Sequence, residues 1–353
     1  MENLKVLIAD DSLIYRMILK KVINAIDGVE VCHSVSNGHY VLKDLDQYSP
    51  DLLLLDVEMP VMGGLDVMKE LSKRESAPDV IMCSAFTTEG ADITIKALEL
   101  GACDFITKTE GENRQESELK LLKQLQSKLD ALRFKSVSGK TNSQSQVKKA
   151  ILEKTKASHG AFKKPELVAI GISTGGPNAL SVVIPALPEN FPVPITIVQH
   201  MPPLFVESLA TSLDRKSKLT VKVAEDGETL KGGTVYLAPG QKQLKIVREK
   251  NVFLVAKITD DPAENFCKPA ADYMFRSVAT ACQGKSVGVI MTGMGGDGAK
   301  GLKHMHEAGA FIIGQDEKTS TIYGMPKEAY NADVVDKQLP LEQIAPRLIK
   351  LLS

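Results

Sequence analysis

Residues 166–177 read ELVAIGISTGGP. The apolar run Leu167–Gly171 has strand length, and Ser173-Thr174-Gly175-Gly176 then makes a tight turn before Pro177 opens a helix. A strand, a glycine turn and a helix in that order belong to a parallel α/β sheet. The turn exposes a serine hydroxyl at the strand's carboxyl end and aims backbone N–H groups at one spot. Further strands read at Ile195–Val198, Thr234–Leu237 and Val287–Met291, so residues 166–353 form one α/β domain.

Upstream, residues 5–12 read KVLIADDS. Strands are legible at Lys5–Ala9, Val29–Ser34, Leu52–Leu55, Val80–Cys83 and Cys103–Thr107, each followed by a helical pattern. Five such units predict a doubly wound parallel sheet of flavodoxin-like type over residues 3–125. Leu119, Leu122, Leu125, Leu129 and Leu132 recur at helical spacing and predict a closing amphipathic helix. Residues 126–165 are expected to be a linker, because Ser, Gln, Lys, Thr and Gly dominate from Ser136 to Lys164. A short helix is expected within it at Val147–Leu152.

Composition narrows the function. The 353 residues are 43% hydrophobic and 25% charged, with formal net charge −1, which gives no reason to expect nucleic acid or a membrane surface as partner. Apolar runs are strand-sized, far short of the ~20 residues of a membrane span. The N-terminus lacks the basic and apolar regions of a signal peptide. Five scattered cysteines without a C-x-x-C pattern speak against a disulfide framework or zinc site and for the cytoplasm.

Two sets of chemical residues follow strand ends. In the first half these are Asp10, Asp11, Asp56, Ser84 and Lys108. Three carboxylates gathered in the crevice of an open sheet call for a cation, and an all-oxygen set fits Mg²⁺. Asp11, Asp56 and the backbone carbonyl of Glu58 are the natural ligands, with Asp10 beside them. A carboxylate can form an acyl phosphate, whose oxygens Lys108 and the Ser84 hydroxyl would hold. In the second half Ser173, His200 and Asp297 follow three different strands, which suits a nucleophile, a base and an orienting acid in one crevice. Taken singly, the serine turn could cradle a phosphate, His200 could be structural, and the Asp297 loop could bind a metal or nucleotide. The order Ser, His, Asp disfavours the ordinary α/β-hydrolase, which runs Ser, Asp, His. His304 and His306 point to different helix faces and make a poor metal pair.

The first region resembles the receiver domain of two-component response regulators through Asp10-Asp11-Ser12, LDVEMP at 55–60, Met62-Gly63-Gly64, Ser84-Ala85 and Lys108. The resemblance implies phosphorylation of Asp56 by a partner histidine kinase with Mg²⁺, and puts Phe105 at the aromatic switch position. Thr109 departs from the proline usual after that lysine. The second region resembles the chemotaxis receptor methylesterases, the CheB family. It does so through GISTGGP at 171–177, VQHMP at 198–202, LAPG at 237–240, MFRS at 274–277, TGMGGDG at 292–298 and YGMPKEA at 323–329.

That resemblance implies a protein-glutamate methylesterase and glutamine deamidase of Rossmann-like α/β type, acting on methyl-accepting receptors during adaptation. It implies Ser173 as nucleophile, His200 as base, Asp297 as its orienting partner, and an oxyanion site from the Met294 backbone N–H with the Thr174 region. No cofactor is expected for the esterase reaction. Phosphorylation of Asp56 is expected to relieve a block of the crevice by the receiver. The alternative is a non-enzymatic regulator whose second domain binds a phosphate-bearing ligand. A DNA-binding output domain is weakly supported, since no basic recognition helix is legible.

Overall fold

The computed structural model describes residues 3–108, 114–138 and 163–352. Thr109, residues 139–162 of the expected linker 126–165 and the expected helix at Val147–Leu152 lie outside the described residues, while residues 126–138 of that span are helical and not linker. The chain divides into two compact units, Met1–Arg133 and Phe134–Ser353.

The first unit alternates strand and helix throughout. Its elements are β1 (Leu4–Ala9), α1 (Leu13–Ile23), β2 (Val29–Val35), α2 (Gly38–Tyr48), β3 (Leu52–Asp56), α3 (Gly64–Leu71), β4 (Asp79–Ser84), α4 (Thr88–Glu99), β5 (Asp104–Thr107) and α5 (Arg114–Ser138). The five strands are all parallel, in the order β2-β1-β3-β4-β5. β3 is LLLLD and fully buried, as expected of a strand covered by helices on both faces. Strand order reverses beside β1, which opens a crevice at the carboxyl ends of β1 and β3. Ser12 caps α1 by accepting the Tyr15 N–H, so the loop holding Asp10 and Asp11 is cut short at that crevice. On α5 the buried face takes in Leu121, Leu125, Leu129 and Leu132. Leu119, expected on that face, is exposed, because the true stripe runs through Leu121, two residues on and therefore on the opposite side of the helix.

The second unit comprises β6 (Leu167–Ile172), α6 (Gly176–Val183), β7 (Ile195–Gln199), α7 (Pro203–Lys216), β8 (Thr220–Val223), β9 (Thr234–Leu237), β10 (Gln243–Glu249), β11 (Phe253–Thr259), α8 (Ala271–Cys282), β12 (Ser286–Ile290), α9 (Ala299–Glu307), β13 (Phe311–Gln315), α10 (Met325–Asn331), β14 (Lys337–Leu339) and α11 (Leu341–Leu352). Seven parallel strands run β14-β13-β12-β6-β7-β9-β8. The chain leaves β6 toward β7 and returns on its other side as β12, so the switch point lies at β6. The edges are β14 and β8.

A separate antiparallel hairpin, β10 and β11, packs on α8. The Ile246 N–H donates to Ser277 Oγ at 2.9 Å, and Arg248 Nε to the Ala281 carbonyl at 2.8 Å. Phe275 is fully buried in the cluster that joins this hairpin, α8 and the sheet. Among the described residues no helix is long and apolar enough to cross a membrane. Phe275→Ala should destabilise the second unit by about 3–5 kcal/mol, read as an earlier urea transition in circular dichroism.

Candidate active site

The first crevice gathers Asp10, Asp11 and Asp56, each offering a carboxylate oxygen within 4.8 Å of the others. Asp10 and Asp56 are buried and Asp11 is exposed. Lys108 spans the two buried acids, with Nζ 2.8 Å from Asp10 Oδ2 and 2.7 Å from Asp56 Oδ2. The Ser12 N–H holds Asp10 Oδ1 at 2.9 Å, and Arg16 bonds the carbonyl oxygens of Asp10 and Asp11. Burial pushes the Asp56 carboxyl up to about 6; Lys108 opposes the rise and Asp10 adds to it. Ser84 is buried at the end of β4 beside this cluster, its hydroxyl bonded to the Ala85 carbonyl at 3.2 Å. The Glu58 side chain is exposed two residues past Asp56. Three carboxylates against one ammonium leave an excess of negative charge on hard oxygen donors, which fits Mg²⁺.

In the second unit the register pairs Ile172 with Gln199, so Ser173 and His200 leave adjacent strands at the same level. The Ser173 N–H donates to the Thr292 carbonyl at 3.0 Å, and its own carbonyl accepts from Gln199 Nε2 at 3.0 Å and the Gly176 N–H at 2.8 Å. Gly175 turns the chain at φ 77° with Thr321 packed close by, where a Cβ would lie 2.3 Å from Thr321 Oγ1. Gly293, two residues beyond Met291, lets the β12 loop approach the serine. A Cβ there would lie 2.8 Å from Ser173 Cβ and 2.3 Å from Met325 Sδ. Met294 follows directly and is half-buried. Thr292 ties the two turns together, its hydroxyl donating to the Thr174 carbonyl at 2.9 Å.

His200 Nε2 and Asp297 Oδ2 are 2.8 Å apart. Asp297 is buried and takes three further bonds: the Ala271 N–H at 2.6 Å, the Asp272 N–H at 3.1 Å and the Asn265 amide at 2.9 Å. The first two belong to the opening turn of α8, so the helix N-terminus faces the carboxylate. Burial works against the Asp297 charge, yet His200 and these N–H groups hold its pKa below the ordinary carboxylate value. Burial likewise opposes charge on His200, but bonds to Asp297 and Cys267 outweigh it and raise the imidazole to about 9. A proton-accepting role for His200 belongs to its neutral form, in which one ring nitrogen is free to accept.

Ser173, His200 and Asp297 thus converge on one crevice, with Met294 and Thr174 on its loops. Three groups were not singled out from the sequence: the start of α8, Asn265, and Cys267, whose Sγ is 3.7 Å from His200 Nδ1. The signal available for them was Asp272 in the first turn of a helix after Lys268-Pro269. His304 bonds the Lys300 carbonyl and His306 faces Asp336, so these two serve separate local contacts.

Residues 168–348 match the CheB methylesterase family, and residues 6–120 match the response regulator receiver domain. A protein-glutamate methylesterase/protein-glutamine glutaminase of Desulfotalea psychrophila is 43% identical, covering 99% of this chain and 98% of its own length. One of the same name from Thermotoga maritima is 38% identical, over 99% of this chain and 98% of its own length. The crystal structure of the Thermotoga maritima CheB methylesterase catalytic domain is similar at 42% identity with a TM-score of 0.52. It covers 53% of this chain and 99% of that domain.

Titration of His200 followed by ¹⁵N NMR should show a midpoint raised to about 9. Cys267→Ala removes one of the groups that raise it, so the midpoint should move down; an unmoved midpoint would remove the thiol from the account.

Proposed function

The chain belongs to the CheB methylesterase family and carries a response regulator receiver domain, and on that premise we propose a phosphorylation-regulated hydrolase working through Ser173, His200 and Asp297. It is a protein-glutamate methylesterase and protein-glutamine glutaminase, the activity its full-length relatives are named for. The observation that carries the mechanism is the 2.8 Å bond between His200 Nε2 and Asp297 Oδ2 in the crevice where Ser173 emerges.

In this reading Ser173 Oγ attacks the carbonyl carbon of a glutamyl methyl ester. The serine proton passes to His200 Nδ1, the nitrogen that does not face Asp297. Asp297, held ionised by its donors, stabilises the imidazolium. The oxyanion is met by the Met294 backbone N–H and the Thr174 turn. His200 then protonates the departing methoxide, methanol leaves, and water hydrolyses the acyl-enzyme to glutamate. A glutamine side chain in the same place releases ammonia. The esterase reaction needs no cofactor in this scheme. A phosphate-binding module without catalysis is not favoured, since full-length relatives at 43% and 38% identity carry the hydrolase name.

The receiver supplies control. Asp10, Asp11, Asp56 and the Glu58 carbonyl would hold Mg²⁺, which when bound neutralises charge on the phosphoryl group. Asp56 accepts the phosphoryl group from a histidine kinase, and Lys108 and Ser84 hold its oxygens. The Lys108 ion pair with Asp56, 2.7 Å long, has to rearrange as that happens, which couples the modification to the β5 end of the sheet. The phosphorylated form favours the state of the chain that admits substrate. Methyl-accepting receptors are the substrates, met from the cytoplasmic side.

Methanol release from methylated receptor membranes should fall about 10⁴-fold or more in Ser173→Ala. Equal release from the variant would take Ser173 out of the mechanism. Acetyl phosphate should raise the rate of the wild-type chain and leave Asp56→Asn unresponsive. An unchanged wild-type rate, with Asp56 phosphorylation seen by mass spectrometry, would refute the regulatory half.

A further inference from the structure

Asn265 and Phe266 both lie in the left-handed region, at φ 51° and 62°. They are the central pair of a two-residue turn, closed by reciprocal backbone bonds of 3.1 and 2.7 Å between Glu264 and Cys267. Two positive φ values in such a turn mark the type I′ pattern, which prefers Asn followed by Gly. Asn265 obeys the preference. Phe266 breaks it, since a bulky side chain at positive φ is an outlier. Burial could offset that conformation, but Phe266 is 104% exposed, the highest value among the exposed large hydrophobics of the described residues. Neither backbone preference nor core packing explains a phenylalanine here, and uncompensated strain of this kind clusters at functional sites.

The turn is also fixed to the catalytic machinery. The Asn265 amide donates to Asp297 Oδ1 and to Asp272 Oδ2, both at 2.9 Å. On the other side of the ring, Cys267 Sγ stands 3.7 Å from His200 Nδ1. Glu264 at the base of the turn pairs with Arg276 on α8. Phe266 is therefore bracketed by one residue touching Asp297 and one touching His200. Its backbone is thereby fixed next to the groups that hold Asp297 and His200, and its ring is open to solvent.

We propose that Phe266 is a substrate-docking residue, whose ring packs on an apolar patch of the methylated receptor polypeptide as the ester side chain enters the crevice. The inference rests on the methylesterase reading. The occupant is a polypeptide rather than a free small ester, because the ring lies outside the reacting groups and gains contact only with a substrate that extends past them. A ring carried on a turn that is already fixed leaves only its own side-chain torsions to be ordered on binding, which suits it to act as an anchor.

The test compares full-length wild type, Phe266→Ala and Phe266→Leu on methylated receptor membranes and on a small γ-methyl glutamate ester, with Ser173→Ala as control. Phe266→Ala should raise KM for the receptor about tenfold, with kcat within about twofold, so that selectivity for receptor over small ester falls about tenfold. Phe266→Leu should recover most of the loss. An unchanged receptor KM would overturn the proposal. So would an equal loss on both substrates, which marks a structural role for the turn, or a gain on both, which marks another part of this chain as the ring's partner. Methanol release that persists in Ser173→Ala would instead overturn the hydrolytic mechanism and leave the KM comparison standing.

Discussion

A charged carboxylate buried in protein survives only if donors replace the water it has lost. Asp297 has four: the N–H groups of Ala271 and Asp272, the Asn265 amide and His200. They come from three places in the chain, and each is positioned by something larger. The two N–H groups exist because α8 begins there, and α8 is braced by the β10–β11 hairpin through Ser277 and Ala281. His200 is placed by the parallel register of β6 with β7. The crevice of the second unit is in this sense the surroundings that one ionised side chain requires.

The two units treat the same residue type in opposite ways. At Asp56 burial dominates, and the carboxyl rises to about 6 despite Lys108. At Asp297 donors dominate, and the carboxyl falls below its ordinary value despite comparable burial. The difference follows from the neighbours. Asp56 has Asp10 beside it and one lysine shared between them, whereas Asp297 faces a helix N-terminus and an imidazole. One environment suits an acid awaiting a cation and a phosphoryl group. The other suits an acid that must stay charged while its partner gains and loses a proton.

Much of this was legible in the sequence, for a physical reason. Strands buried on both faces are continuous apolar runs, so β1, β3, β6, β7 and β12 declare themselves, and the residue just past each run is placed at the crevice by topology alone. Ser173, His200, Asp56 and Lys108 are read that way, and Asp297 by its position after β12. Asn265, Cys267 and the start of α8 were not legible, because they reach the site by a turn and a helix terminus that leave no periodic trace. The buried face of α5 was misread by including Leu119, since leucines at three- and four-residue spacing define two overlapping stripes and only packing selects the one through Leu121.

The seven-stranded sheet ends in β14, three residues long and opening with Lys337, and in β8, four residues long and carrying Lys222. Short borders that bear lysine leave few unpaired backbone groups for a second chain to zip onto. Parallel strands form slowly because each pairing must close a long loop first, and exposed borders are hazardous during that interval. The narrow ends of this sheet therefore protect it against aggregation during its own assembly, at the cost of nothing in the crevice, which is built from the strands at its centre.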